Sequence, residues 1–395
     1  MTRGAPRATW RVTKPLRDRI RAGHPWVFDR ALAPAKKLAA GDVVTLVDDK
    51  GPLATAFADP GSPIAARILD EPDATCDGAW AGARAEQAAR RRARDPLLVG
   101  CTGRRLIHGE ADGCPGLVVD AYTDTAVIQL DGAAARVFWR ERIADVLAGL
   151  ERGGAVIAHA WLRAERRAKT QSLGEALRGD PPTEIVIDED DARFGVDVRA
   201  GQKTGFFLDQ RDNRRTIRRH AAGGSVLNLF SYTGGFSLHA ALGGATRVTS
   251  VDLAPPAIAA IAKNLDRSGL PADAHERVAA DAFDFLAQAR EQGRRWDLVI
   301  VDPPSFAPSE KAKPAALRAY QRLVKAALAV VEPGGRFALA SCSSHVTEAD
   351  LLDQIAALPA PTLRLRLSAG AASDHPVLAA FGEGRYLKFL LFDLG

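Results

Sequence analysis

The sequence predicts an α/β protein in which residues from about 184 onward form a doubly wound, mostly parallel sheet. Short apolar runs typical of buried strands alternate in this region with alanine-rich helical segments. The chain then closes with two extended runs, 363–367 and 386–394, which favour a terminal antiparallel hairpin on that sheet. The predicted parallel strands are 225–230, 247–253, 275–279, 297–302 and 336–341.

Two smaller domains are predicted ahead of this one. Residues 1–75 are rich in glycine, proline and short β-type runs, which is typical of a small β-rich module. Residues 76–183 begin with an alanine- and arginine-rich helix and continue as a compact α+β unit. At 395 residues the chain is longer than one core usually supports, so we expect three domains, 1–75, 76–183 and 184–395. The second domain should contain strands 105–108, 117–120, 126–130 and 155–159 and a helix over 134–150.

The composition is that of a globular protein, with 47% hydrophobic and 26% charged residues. No apolar run reaches the length of a membrane span, and residues 1–10 lack the apolar core of a secretory signal. We therefore expect a cytoplasmic location and no membrane partner. The four cysteines form no C-x-x-C pair and accompany no histidine cluster, so neither a disulfide framework nor a metal site is predicted.

The net charge of +5 is concentrated in runs of basic residues. A solvated helix face explains any single run, but three runs together with a basic total favour a polyanionic partner such as nucleic acid. The first run contains Arg84, Arg90, Arg91, Arg92 and Arg94, the second Arg163, Arg166, Arg167 and Lys169, and the third Arg211, Arg214, Arg215, Arg218 and Arg219.

Polar residues and glycines stand at the ends of successive predicted strands in the C-terminal domain. The first strand runs into Gly234-Gly235, and glycines let the backbone approach a ligand closely. The next strands end at Asp252, which could accept both hydroxyls of a ribose, and at Asp281, which could meet an adenine amino group beside Phe283. Helix capping explains any one such carboxylate equally well, but the series, continued by Asp302, predicts a cofactor site. The candidate cofactor-binding residues are Asn228, Phe230, Tyr232, Thr233, Gly234, Gly235, Asp252, Asp281, Ala282, Phe283 and Asp302.

Two cofactors suit this pattern. A nicotinamide dinucleotide is the alternative, since a glycine turn followed by Asp252 also fits it. However, the G-x-G-x-x-G fingerprint is absent at the turn, and no set of residues for hydride transfer is evident. S-adenosylmethionine has no pyrophosphate and needs no such loop, so the sequence favours it.

Several long motifs resemble those of the PUA-domain-containing class I methyltransferases that convert a cytosine of 23S ribosomal RNA to 5-methylcytosine. The similar segments are 23–28, 106–113, 115–120 and 201–211, and the resemblance runs along the whole chain. It implies a PUA-like RNA-binding domain, a central domain and a Rossmann-like, S-adenosylmethionine-dependent methyltransferase domain, with ribosomal RNA as the partner. Asn228 departs from the pattern, since many methyltransferases carry an acidic residue there.

The resemblance also assigns a mechanism to two strand-end motifs. Carbon 5 of cytosine is a poor nucleophile, so a nucleophile must first add to carbon 6, and the resemblance gives this covalent role to Cys342. Asp302 would hydrogen-bond the cytosine amino group and the protonated ring nitrogen 3, in a turn held by two prolines. The candidate substrate-binding residues are Pro303, Pro304, Phe306 and Arg211. No base for the carbon 5 proton is evident; His345 is near in sequence, but a surface or capping histidine is the favoured interpretation.

Other functions stay open on the sequence alone. The enzyme could methylate another base or a nitrogen without covalent catalysis, or the chain could be a non-catalytic RNA-binding protein with a vestigial methyltransferase domain. The presence of Asp252, Asp281, Asp302 and Cys342 disfavours the last alternative. The target base must be single-stranded or flipped out of its stack. The modified nucleotide and the oligomeric state, with a homodimer among the options, are not determined.

Overall fold

The computed structural model describes residues 7–35, 37–164, 173–359 and 362–395, and the chain divides into two compact units. Unit 1 comprises Met1–Ile185, Val196–Phe206 and Ser373–Gly384, and unit 2 comprises Val186–Gly195, Phe207–Ala372 and Arg385–Gly395. Residues 373–384 thus belong with the N-terminal unit, although they lie far along the chain. Strands β11 (Glu184–Glu189) and β12 (Ala192–Asp197) form a separate two-stranded sheet. Within the described residues, no helix combines the length and apolar character needed to cross a membrane.

The first sheet of unit 1 is a five-stranded β module, as the N-terminal composition predicts. Its order is β1-β3-β4-β5-β2; β1 and β3 are parallel, and the other pairs are antiparallel. Apolar side chains such as Trp10, Val27 and Leu46 form its core. The elements are β1 (Ala8–Arg11), α1 (Arg17–Arg21), β2 (Trp26–Phe28), β3 (Val43–Asp48), β4 (Gly51–Ala58) and β5 (Ile64–Asp70).

The second sheet of unit 1 has the order β10-β9-β8-β7-β6 and packs against three helices. Its elements are α2 (Gly78–Ala93), β6 (Gly103–His108), β7 (Leu117–Tyr122), β8 (Thr125–Leu130), α3 (Ala133–Arg140), α4 (Ile143–Arg152), β9 (His159–Arg163) and β10 (Gly174–Arg178). Two sequence predictions are wrong in detail. The helix predicted over 134–150 is two helices, because the Arg142 amide bonds the Trp139 carbonyl three residues back. The strand predicted over 155–159 begins only at His159, after the turn at Gly154, where φ is +98°.

Unit 2 contains a seven-stranded sheet of order β15-β14-β13-β16-β17-β19-β18. Five strands are parallel: β13 (Ser225–Leu229), β14 (Arg247–Asp252), β15 (His275–Ala279), β16 (Trp296–Val301) and β17 (Val331–Ser341). The last two, β18 (Leu363–Ala369) and β19 (Lys388–Leu394), pair antiparallel. The predicted doubly wound sheet with a closing antiparallel hairpin is confirmed.

The strands of this sheet are apolar because both of their faces are covered. In β16, Val299 and Val301 enter the core on one face, while Leu298 and Ile300 enter the core on the other. The helices of unit 2 are α5 (Arg211–His220), α6 (Gly235–Leu242), α7 (Pro255–Arg267), α8 (Ala282–Glu291), α9 (Lys313–Leu328) and α10 (Glu348–Ala356). The chain builds β14 and β15 on one side of β13 and then β16 and β17 on the other. The switch point between β13 and β16 is where doubly wound folds bind ligands.

Candidate active site

The carboxyl ends of the parallel strands of unit 2 meet at one edge of the sheet. Strand β13 pairs with both β14 and β16, and β16 pairs with β17, all in parallel. The glycine turn after β13, Asp252 at the end of β14, Asp302 after β16 and Cys342 after β17 therefore lie at the same edge.

The turn after β13 has an unusual backbone. Phe230 and Tyr232 have φ of +58° and +46°, a left-handed conformation that costs non-glycine residues energy, and Gly234 has φ of +88°. Hydrogen bonds hold this shape, because the Ser231 amide donates to the Val251 carbonyl over 3.0 Å. Strained backbone of this kind is concentrated at ligand sites in proteins.

Asp252 links the turn to the next strand. Its carboxylate accepts one hydrogen bond from the Tyr232 amide at 2.8 Å and one from the Ala254 amide at 2.9 Å, through different oxygens. Each carboxylate oxygen has further acceptor capacity. The carboxylate is therefore fixed in place and half-exposed, and it can still receive the two hydroxyls of a ribose.

Asp281 caps the N-terminus of α8. The sequence had allowed either this capping role or a contact with the cofactor. Its Oδ1 accepts from the amides of Phe283 at 2.8 Å and Asp284 at 3.2 Å. Its Oδ2 receives no hydrogen bond from the residues that the structure describes, so capping leaves one oxygen for a ligand. Ala282 is buried in the first turn, whereas Phe283 is 37% exposed.

Three buried polar atoms at the turn lack hydrogen-bond partners within the described part of the chain. They are Oδ1 of Asn228, Oγ of Ser231 and Oγ1 of Thr233. The other end of the Asn228 amide is used, since Nδ2 donates to the Ser237 hydroxyl at 2.9 Å. A buried polar group without a partner costs about 1–3 kcal/mol, which a polar ligand would remove. Together with the two carboxylates, these atoms fit the ribose and polar groups of S-adenosylmethionine.

Asp302 follows β16 and is held by a residue that the sequence analysis did not single out. The side-chain amide of Gln210 donates to Asp302 Oδ2 at 3.0 Å, and Asn213 donates to the Gln210 carbonyl oxygen at 2.7 Å. Gln210 and Asn213 are both buried, so this chain of bonds fixes which way the Gln210 amide points. Gln210 lies within segment 201–211, and the family-like motif of that segment was the sequence signal that could have identified it.

The two motif loops after β16 and β17 are joined by hydroxyl groups. The Tyr320 hydroxyl lies 2.8 Å from the Ser341 hydroxyl and 3.2 Å from that of Ser343, which in turn lies 3.1 Å from Ser305. Cys342 stands between the two bonded serines. Its neighbours are fixed, and its own side chain is partly exposed.

The other three cysteines do not share this setting. Cys76, Cys101 and Cys114 are all buried. Burial raises the pKa of the Cys76 thiol to about 11 and that of Cys114 further, so both thiols stay protonated at neutral pH. Among the cysteines, all of which lie in described segments, only Cys342 combines exposure with a place at the sheet edge.

Lys388 is a second residue that the sequence analysis missed. It begins β19, is 6% exposed, and donates from Nζ to the carbonyls of Ser343 at 2.6 Å and Tyr386 at 2.9 Å. The sequence signal that could have identified it is a lysine at the start of an otherwise apolar run, Lys388-Phe-Leu-Leu-Phe. Burial lowers the pKa of Lys388 to about 8, although negative charge at Cys342 and Asp350 acts to raise it.

The candidate substrate-binding residues differ in their solvent exposure. Pro303 is buried, Pro304 is exposed, and Phe306 is half-buried, with its ring centroid 5.0 Å from that of Tyr320. Arg211 has no exposed surface, and its Nε lies 3.9 Å from the Glu189 carboxylate. This placement in the interior does not support a direct contact between Arg211 and RNA.

His345 is not placed as a buried base. Its Nδ1 lies 3.2 Å from a carboxylate oxygen of Glu310 at the surface, which agrees with the favoured interpretation of a surface histidine.

Where the structure describes them, the arginine runs do not form the free cationic surface that the sequence suggested. Most of their described guanidinium groups pair with carboxylates, all but one of them supplied by other elements, which neutralise them. The observed pairs are Arg84–Asp70, Arg90–Glu86, Arg91–Asp112, Arg92–Asp112, Arg214–Glu189, Arg215–Asp190 and Arg218–Asp191. Arg166, Arg167 and Lys169 of the second run lie outside the described residues.

Unpaired positive charge is found instead in a groove of about 900 Å³ between α8, α9 and the end of β19. Four of its basic side chains, Arg290, Arg295, Arg322 and Lys325, are exposed and form no ion pair within the described part of the chain. A fifth, Arg294, is paired with Glu276. The four unpaired residues together form the basic groove.

Comparison with known proteins identifies the family. Residues 104–392 match a family model described as S-adenosylmethionine-dependent methyltransferase, and residues 11–71 match one described as a PUA-like domain. The chain belongs to the S-adenosylmethionine-dependent methyltransferase family. S-adenosylmethionine is therefore its cofactor, and the nicotinamide alternative is set aside. In the described segments, no group of three or more His, Cys, Asp or Glu side chains is arranged to hold a metal ion.

Individual members of the family are similar over nearly the whole chain. A Deinococcus radiodurans protein named ribosomal RNA large subunit methyltransferase is 38% identical, covering 99% of this chain and 98% of its own length. A Cronobacter sakazakii protein named ribosomal RNA large subunit methyltransferase I is 34% identical, covering 92% and 94%.

Solved structures share the fold. A Streptococcus mutans chain, provisionally assigned as a SAM-dependent methyltransferase, superposes with a TM-score of 0.85 at 23% identity, covering 98% of this chain and 100% of that chain. A provisionally assigned methyltransferase complexed with SAH gives a TM-score of 0.86 at 23% identity with the same coverage.

Proposed function

We propose that this methyltransferase modifies carbon 5 of a cytosine in large-subunit (23S) ribosomal RNA through a temporary covalent bond from Cys342 to carbon 6. The observation that carries the proposal is the shared sheet edge of Cys342, Asp302 and the cofactor turn, together with the partial exposure of Cys342. The names of the relatives support ribosomal RNA as the substrate.

The residues at the edge have distinct roles in this reaction. The Cys342 thiolate adds to carbon 6 of the base while ring nitrogen 3 takes up a proton from solvent, which makes carbon 5 an enamine nucleophile. After carbon 5 is methylated, it gives its proton to water and the thiolate leaves. Asp302 accepts hydrogen bonds from the amino group and protonated nitrogen 3 of the base, so it stabilises the adduct. Gln210 orients the Asp302 carboxylate. S-adenosylmethionine supplies the methyl group.

The same edge would hold the cofactor. Asp252 is placed to accept the ribose hydroxyls, and Asp281 keeps one oxygen for the adenine amino group beside Phe283. We propose that the buried polar atoms of Asn228, Ser231 and Thr233 receive polar groups of the cofactor. The remaining turn residues, Phe230, Tyr232, Gly234, Gly235 and Ala282, shape this pocket.

Binding of the RNA requires positive charge that carboxylates have not already neutralised. The basic groove meets that condition, since Arg290, Arg322 and Lys325 have exposed, unpaired side chains. We propose that it contacts RNA phosphates, while Pro304 and Phe306 approach the target base. The proposed domain organisation stays that of the sequence prediction. It consists of a PUA-like domain within 1–75, a central domain within 76–183 and the methyltransferase domain within 184–395. A cytoplasmic location and the homodimer alternative also stay predictions.

Mapping the product tests this function. RNA from a strain that lacks the protein is incubated with the enzyme and labelled S-adenosylmethionine, and the labelled nucleotide is located. Label at carbon 5 of one large-subunit cytosine is expected. Label on a nitrogen or on another base would reject the cytosine-5 assignment, and no transfer despite bound cofactor would support a non-catalytic RNA-binding protein.

A further inference from the structure

The basic groove lies at the edge of the unit 2 sheet opposite the candidate active site. Arg295 lines the groove and directly precedes β16, whereas Asp302 directly follows that strand. The pairing of Trp296 with Val331 places the start of β17, which also lines the groove, at the same end of the sheet. The groove and Cys342 therefore lie at opposite ends of the parallel strands.

The other basic side chains of the groove lie towards the same end. Helix α8 begins after the carboxyl end of β15, and Arg290 is in its last turn. Helix α9 ends before β17 begins, and Arg322 and Lys325 lie in its second half. All four unpaired charges thus lie towards the amino ends of the parallel strands, away from Asp302.

Strand β16 sets the scale of this separation. A strand rises about 3.3 Å per residue, so the 6 residues of β16 span roughly 20 Å. Along one strand of a nucleic-acid duplex the phosphates follow one another about every 3.4 Å, so roughly six base pairs fit into that length. The nucleotides directly beside a base held at Asp302 therefore do not reach the far end of the groove.

The groove connects this far end with the cofactor side of the domain. Phe283, in the first turn of α8, lines the groove and is also proposed to lie beside the cofactor adenine. Buried apolar side chains such as Leu286 and Leu328 form the floor. A groove that extends away from the catalytic edge and carries unpaired positive charge at its far end fits a polyanion that follows the same path.

The lining of the groove favours a base-paired RNA segment. Proteins hold single-stranded RNA largely by stacking its bases on aromatic side chains, whereas they bind base-paired RNA through its phosphates and its shape. Among the described residues that line the groove, Phe283 is the only aromatic one, and it lies at the end near the cofactor. The far end offers cations, which contact phosphates.

We propose that the basic groove binds the phosphates of a second, base-paired segment of the RNA, roughly 20 Å from the target base. The substrate is then a folded RNA that presents both segments, and the target strand alone does not give full affinity. This inference rests on the proposed function, since the RNA reaches the groove while its cytosine lies beside Cys342 and Asp302. Phosphate contacts carry no sequence information, so the groove recognises the shape of the RNA fold.

A series of RNAs of increasing length tests the inference. Each contains the nucleotide that the enzyme labels, from a strand of a few nucleotides up to a fragment that includes the neighbouring helix. Binding is measured for the wild-type protein and for the double variant Arg290→Gln, Arg295→Gln. With the folded fragment, raising the salt from about 50 to about 200 mM should weaken wild-type binding about tenfold more than variant binding, because the variant lacks two phosphate contacts. With the shortest strands the two proteins should respond alike.

A matched control removes the same number of charges elsewhere in unit 2. In the double variant Arg193→Gln, Arg218→Gln both arginines are already paired, with Asp188 and Asp191, so its salt response should equal that of the wild type. All the changed residues are exposed or half-exposed, so thermal unfolding should be unchanged.

Two results with the groove variant would overturn the inference. A wild-type salt response to every RNA, including whole 23S ribosomal RNA, would exclude the phosphate contact and favour an acidic protein segment as the occupant. A difference from the wild type that is already present with the shortest strands would place the groove on the target strand. Equal salt responses of the wild-type protein to short and folded RNA would also overturn it, without any variant.

The labelled atom is a separate result. Label at carbon 5 of one cytosine without the length dependence would keep the proposed function and reject the inference about the groove. Label on a nitrogen or another base with the length dependence intact would reject the proposed function and keep the groove as a second RNA contact.

Discussion

The Gln210 side-chain amide donates a hydrogen bond to Asp302 across 3.0 Å, and Asn213 fixes the orientation of that amide. Gln210 and Asp302 are 92 positions apart in the chain, yet both belong to unit 2, as does Asn213. The relationship means that the carboxylate proposed to bind the target base is itself oriented by a buried partner.

Replacing Gln210 with Met, which is similar in size, should therefore slow methyl transfer. A hydrogen bond to a charged group contributes about 1.5–3 kcal/mol, so kcat should fall roughly ten- to a hundredfold. Cofactor affinity, measured by calorimetry, should change little. Gln354→Met on α10 is the matched control, and equal rates for the two variants would argue against a role for Gln210.

Asp252→Ala should weaken S-adenosylmethionine binding. The change removes a carboxylate that is placed for ribose hydroxyls, at about 1.5–3 kcal/mol for each charged hydrogen bond lost. It also frees the Tyr232 and Ala254 amides, which loosens the turn. Calorimetry should show the loss, whereas RNA affinity should barely change. Asp266→Ala, at an exposed aspartate of α7, should bind the cofactor normally; unchanged affinity in Asp252→Ala would remove this residue from the cofactor site.

Cys342→Ala should abolish the covalent adduct with 5-fluorocytosine RNA. Fluorine at carbon 5 cannot leave as a proton, so the thioether of the wild-type enzyme cannot be eliminated and survives denaturing electrophoresis. The variant should transfer no methyl group but still bind cofactor. Cys101→Ala, a change at a buried cysteine of unit 1, should still form the adduct. Methylation by Cys342→Ala at a comparable rate would favour direct transfer without covalent catalysis.

Neutralising the basic groove should weaken RNA binding and flatten its salt dependence. With two phosphate contacts removed in the double variant Arg322→Gln, Lys325→Gln, the slope of log affinity against log salt should fall by about 1.4–1.8. Arg218→Gln removes an arginine that Asp191 already pairs, so it should leave the slope nearly unchanged. If Arg218→Gln flattened the salt dependence and the double variant did not, the arginine run of α5 rather than the basic groove would be the RNA contact.

Unit 2 should lose stability in acid through Glu189. Burial acts to raise the pKa of Glu189, but Arg214 and His239 outweigh it and hold the pKa well below its usual value of 4.5. Because the folded-state pKa is depressed, the stabilisation is complete above about pH 4.5 and is lost as the pH falls towards the folded-state value.

Glu189→Gln should remove this acid-sensitive contribution. It leaves the buried Arg214 without its counterion, which should cost about 3–5 kcal/mol in the free energy of unfolding at pH 7. Denaturant unfolding at several pH values measures both effects. Asp188→Asn, at the half-exposed neighbouring residue in β11, is the control, and equal losses in the two variants would contradict the prediction.

The sequence by itself determined the fold class and the edge of the sheet at which the candidate active site lies. Alternating apolar strands and helices specify a doubly wound sheet, because a parallel strand must be apolar on both faces. Once the strands are parallel, residues that follow them share an edge, so Asp252, Asp302 and Cys342 could be grouped from local motifs alone.

Only the tertiary structure decided which charges are neutralised and which polar groups hold the site. The arginine runs look cationic in the sequence, but strands and turns distant in the chain bring Asp112, Glu189 and Asp191 against them. Gln210 and Lys388 likewise gain their roles from partners far away in sequence. Local patterns report burial and periodicity, whereas an ion pair or a hydrogen bond depends on which side chains the completed fold brings within a few ångströms.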